Sequence, residues 1–75
     1  MMNNSSLINL PPGAHGVVHQ IAAGTCATKR LYEIGINPGT EIEVVKNDVG
    51  PLILSLAGHK IAIGRGLAQK IVVNF

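Results

Sequence analysis

Arg30-Leu31-Tyr32-Glu33-Ile34-Gly35-Ile36-Asn37-Pro38-Gly39-Thr40 holds a helix end, a stop and the start of a strand. Leu31 and Ile34 are three apart, so a helix places them on one face. Gly35 falls where a left-handed C-cap belongs, a conformation that glycine takes without steric cost. Pro38 forbids continuation, and Pro38-Gly39 is a turn signal. From Thr40 the apolar period becomes two: Ile42 and Val44 face one way, Glu41 and Glu43 the other.

Upstream, the same pattern predicts a helix from about Thr25 to Ile34, with Ala27, Leu31 and Ile34 toward a core. Thr25 is the expected N-cap. So short a helix is not stable alone and must dock on a sheet. Before it, His15 to Ile21 reads as a strand. Val17 and Val18 are consecutive, and Ile21 shares a face with Val17, so either both faces are buried or a bulge shifts the register. Leu7 to Leu10 is an apolar lead-in that ends at the Pro11-Pro12-Gly13 turn. Residues 1–6 are expected to be a disordered tail, leaving 7–75 as the domain.

Downstream, Leu52 to Ala57 alternates leucines on one face. Gly58-His59 then reads as a two-residue type II′ hairpin turn. Lys60 to Gly64 returns with Ile61 and Ile63 inward. Arg65 to Lys70 has room for one helical turn, and Ile71-Val72-Val73 for a last strand. The sum is mostly β with one short inserted helix. A closed five-stranded barrel is the natural escape from exposed edges in so small a sheet.

Composition narrows the function. A 75-residue chain is one domain with a small core. Cys26 is the single cysteine, so no disulfide can staple it. Aromatics are 3% of the chain, which leaves Ile, Val and Leu to build the core. Charged residues are only 13%, about half the usual share, and point to a surface that meets a partner. The net charge of +2 comes from dispersed side chains, with only Lys29 and Arg30 adjacent. No stretch has the ~20 apolar residues of a membrane span. The polar, uncharged start lacks the look of a secretion signal, and a cytoplasmic protein is expected.

The search for chemistry yields little. Glu41 and Glu43 read as a solvated strand face more readily than as a catalytic dyad. Gly64-Arg65-Gly66 fails as a nucleotide fingerprint. On a strand, His15 and His19 lie about 13 Å apart, too far to chelate one ion. Cys26 near a helix start reads as a small space-filling residue. Tyr32 beside Lys29 and Arg30 is a weak stacking patch, so nucleic acid is not an expected partner. An enzyme ranks last among the readings.

Beyond these local readings, the ordered chain resembles the ferrous iron transport protein A family, FeoA. The resemblance rests on Leu10-Pro11-Pro12-Gly13, Gly16-Val17-Val18, the Arg30–Thr40 stretch and Ile42-Glu43-Val44-Val45. Ile61-Ala62-Ile63 and Leu67-Ala68-Gln69-Lys70-Ile71-Val72-Val73 follow in the right order. It implies an SH3-like barrel with a helix after the first strand, as also found at the C-terminus of metal-dependent repressors. It further implies an accessory protein of bacterial ferrous iron uptake that binds the cytosolic part of a FeoB-type permease. That places it in the cytoplasm or, through its partner, peripherally at the inner membrane. No cofactor is required, although a transition metal such as Fe(II) or Zn(II) is commonly attached to such domains. The expected contact surface is Lys29, Arg30 and Tyr32 on the helix, with Gly35, Pro38 and Gly39 in the following turn. Stand-alone metal sensing and nucleic-acid binding are the alternatives.

Overall fold

A computed structural model describes residues 3–75. One antiparallel sheet carries the molecule: β1 (Asn4–Ser6), β2 (His15–Ile21), β3 (Glu41–Lys46), β4 (Leu52–Leu56), β5 (His59–Ile63) and β6 (Ile71–Asn74). Their spatial order is β1-β6-β2-β3-β4-β5. A 3-10 turn (Leu7–Asn9) follows β1, α1 (Thr25–Glu33) joins β2 to β3, and α2 (Arg65–Ala68) joins β5 to β6. Among the described residues there are thus six strands, where the pattern predicts five. The added one is β1, inside the expected tail. Its Ser5 pairs with Val73, and Asn3 and Phe75 exchange backbone hydrogen bonds at 3.0 and 2.9 Å. Polar side chains hid it, because an edge strand is held by its backbone and needs little apolar burial. Met1 and Met2, also assigned to the tail, lie outside the described residues.

The core is aliphatic. Leu7, Leu31, Ile36, Val44, Leu52, Leu54, Ile71 and Val73 are fully enclosed, and no polar side chain is buried among them. Of the two readings left open for β2, the bulge is the one found: its register with β6 shifts between Val18 and Gln20, at His19. Val18 and Ile21 can therefore both turn inward. Gly16 packs against β6 so closely that a Cβ there would come within 2.8 Å of the Asn74 carbonyl oxygen, besides striking the Val73 side chain. Only a residue without a side chain fits.

The Arg30–Thr40 stretch does what its residues dictate, with one substitution of role. The Ile36 amide donates to the Leu31 carbonyl (2.8 Å) and the Gly35 amide to that of Tyr32 (3.1 Å). With Gly35 at φ +99°, this is a Schellman C-cap. The motif joins Ile36 to Leu31 in the core, and both are fully buried. Ile34, expected inward, is 43% exposed, because the chain reverses before its face completes a turn. At the other helix end the N-cap is Gly24, not Thr25, and Thr25 is already helical.

Asn37-Pro38-Gly39-Thr40 closes as a turn through a 3.0 Å bond from the Thr40 amide to the Asn37 carbonyl. It docks on β2 as the Gly39 amide donates to Val18 (2.7 Å) and the Val18 amide to Thr40 (2.8 Å). The β4–β5 hairpin turn is Ala57-Gly58, one residue earlier than expected. Leu56 pairs with His59, and both turn residues have positive φ, +49° and +86°, as in type I′.

Hydrogen bonding along the sheet stops at β1 and β5, which do not pair with each other among the described residues. The 3-10 turn and α2 pack against one another after these two end strands. Three side chains secure that closure through backbone carbonyls. Asn47 Nδ2 donates to Ile8 (2.9 Å) and Leu10 (2.7 Å). Arg65 donates to Asp48 (3.1 Å) and Gly50 (3.3 Å). The Ser6 hydroxyl lies 2.7 Å from the Gln69 oxygen and 3.2 Å from that of Ala68.

Candidate functional site

At the opposite end from these pins the sheet opens into a groove of about 460 Å³. One wall is the end of α1, Ile34 and Gly35, with Thr40 and Glu41 beside it. The other is the hairpin: Leu56, Ala57, His59 and Ile61. Each wall follows from a local rule. The glycine stop ejects Ile34 from the core, and the tight hairpin keeps Leu56 of β4 and Ile61 of the edge strand β5 on the inner face. Thr40 holds the floor. Its hydroxyl donates to Asn37 Oδ1 (2.7 Å), with the Gly35 carbonyl as a longer second acceptor at 3.3 Å. The groove is apolar with a carboxylate and an imidazole at its rim. That is the composition of a contact surface for another chain.

The residues singled out from sequence do not form one patch. Lys29 and Tyr32 line a shallow cleft with Ala23, Thr25 and Thr28. Arg30 points elsewhere, into a cleft with Cys26, Ala27 and Leu67. Residues 29 and 30 are neighbours in sequence and about 100° apart around a helix, so they cannot share a face. Gly35 belongs to the apolar groove, while Pro38 and Gly39 are exposed in the turn that docks on β2. Ile34, Leu56 and Ile61 were missed as site residues, since an apolar residue at the right period reads as core. Gly35 directly after Ile34 was the available signal.

Histidines and carboxylates are dispersed. His15 stands across from Glu43 in the β2–β3 register, His19 lies by Asn74 (Nδ2 to Nδ1, 3.4 Å), and His59 is at the groove rim. Cys26 is exposed. Among the described residues no three His, Cys, Asp or Glu side chains come together as a metal cluster. Nor is any described helix long and apolar enough to cross a membrane.

Sheet order, inserted helix and groove define a small SH3-like β domain. A crystal structure of an iron uptake regulatory protein, FeoA, superimposes with a TM-score of 0.88 at 35% identity, covering 97% of this chain and 99% of that one. A manganese-dependent transcriptional repressor matches with the same TM-score at 21% identity over 97% of this chain and 42% of its own, a likeness of fold alone. In sequence, the chain is 49% identical over 62 residues to the putative Fe(2+) transport protein A of Methanocaldococcus jannaschii. That alignment covers 83% of this chain and 76% of the relative. The FeoA domain model matches residues 5–74. The chain belongs to the FeoA family of ferrous iron transport proteins.

Proposed function

We propose that this protein is a noncatalytic accessory subunit of ferrous iron uptake, working in the cytoplasm by binding the cytosolic part of a FeoB-type permease. One observation carries the contact reading: the groove between α1 and the β4–β5 hairpin leaves Ile34 43% exposed beside the partly buried Ile61. A chain with so few charges gains little by exposing aliphatic surface unless something covers it. Lys29 and Tyr32 form a flanking polar contact in this reading, and Arg30, on another helix face, meets a different part of the partner. Modulation of the permease's GTPase belongs to the same proposal.

The test is co-purification of the full chain with the permease's cytosolic G-protein domain, in the nucleotide-free, GDP and GTP-analogue states. Retention in at least one state, lost on Ile34→Asp, supports it. Absence of retention in all three overturns it. Bound Fe(II) or Zn(II) is a separate proposal, with His15, His19, His59 and Cys26 as the donors to vary. A stoichiometric metal-dependent heat that disappears in those variants supports it, and a null titration removes it.

A further inference from the structure

The sheet ends at β5, and it ends there on two rows that look incomplete. On the inner face, Val44 pairs with Leu54 and Leu54 with Ile61. The first two are fully buried, whereas Ile61, last in the row, is only partly covered. On the outer face the neighbouring row runs His15, Glu43, Ser55, Lys60. It stops at an exposed lysine with no ion-pair partner among the described residues.

The backbone at this edge is open too. In a two-residue hairpin the residues flanking the turn exchange both hydrogen bonds, and bonded pairs then alternate. Leu56 with His59, Leu54 with Ile61 and Leu52 with Ile63 are therefore the bonded pairs. The N–H and C=O groups of Lys60 and Ala62 point away from β4, and no described backbone group accepts from or donates to them.

We propose that β5 is a docking edge for one extended segment of a partner protein, which adds to the sheet as a further strand. The segment carries a carboxylate opposite Lys60 and aliphatic residues on each side of it. Alternation decides this pattern. A residue facing Lys60 lies on the outer face, so its two neighbours point inward, one beside Ile61 and into the apolar groove. Charge disfavours a second copy of this chain in the register that stacks Ile61 on Ile61. Antiparallel pairing of two β5 strands about Ile61 sets the two Lys60 side chains diagonally, about 7–8 Å apart on one face. A lysine on an edge strand blocks indiscriminate pairing, and here it also selects an acidic strand. The inference rests on the permease reading only for the source of the segment.

The experiment uses the isotope-labelled full chain and two synthetic nine-residue probes, one alternating valine with glutamate and one alternating valine with lysine. With the acidic probe tenfold above its dissociation constant, Lys60 and Ala62 amide exchange slows by about tenfold, and the Ile61 methyl resonances shift. The acidic probe binds about two- to fivefold more tightly than the basic one, and Lys60→Glu reverses that order. Ile61→Ser weakens both probes without changing the order. No response at β5, a preference that survives Lys60→Glu, or a concentration-dependent dimer that already protects these amides would each overturn it. Failure here with retention by the permease domain would remove the strand-addition mode and leave the permease reading standing.

Discussion

The two ends of this small sheet solve opposite problems. At one end, Asn47, Arg65 and Ser6 reach across the chain to backbone carbonyls and fix the 3-10 turn, the β3–β4 loop and α2 to each other. Fully buried Leu7 and Ala68 lie beneath them. At the other end, α1 and the hairpin are held apart, and the aliphatic side chains Ile34 and Ile61 line a groove. Where polar side chains satisfy carbonyls, apolar groups are sealed in and the end contributes stability. At the open end Thr40 braces only its own turn, and apolar surface remains exposed. The closed end is the structural one, and the open end carries the proposed contact surface.

Breaking the closed end gives the largest effects. Leu7→Ala is expected to cost about 2–4 kcal/mol, much of the stability of so small a domain, read from the midpoint of urea unfolding. Asn47→Ala removes two donors from the Ile8 and Leu10 carbonyls and is expected to cost about 1–3 kcal/mol in the same assay. A loss below the scatter of that measurement would show that the pins are incidental. The open end responds in the other direction. Ala57 sits at φ +49°, so Ala57→Gly relieves a left-handed conformation and is expected to raise stability by up to about 1 kcal/mol. Ile34→Ser is the sharpest separation. As an exposed site it changes stability by less than about 0.5 kcal/mol, yet it should abolish retention by the permease domain. If Ile34→Ser unfolds the protein, or leaves retention intact, the division between the two ends fails.

Most of the fold was legible because each signal was local. The alternation from Glu41 to Val44, the Gly35 stop and the Pro38-Gly39 turn each act within a few residues, and the consecutive Val17 and Val18 made a β2 bulge one of two readings. Pattern gave less where two rules compete. Ile34 fits the apolar face of α1, and only the Schellman reversal, which hands its core place to Ile36, shows why it is exposed. The hairpin turn slipped by one residue because Gly58 suits the first position of one turn type and the second of another. β1 carried no apolar signal at all, being held by backbone pairing to β6 from far along the chain. The polar helix residues were identifiable as exposed, but Lys29 and Arg30 look adjacent in a line of letters and diverge on a helix.

The amino-acid order by itself determined five of the six strands, the helix stop and an aliphatic core, because period, glycine and proline act over short range. Tertiary structure alone decided that the sheet stays open at β5, and that Ile34 meets Leu56 and Ile61 across a groove. Those outcomes depend on which distant backbone groups find partners, and no local pattern records that.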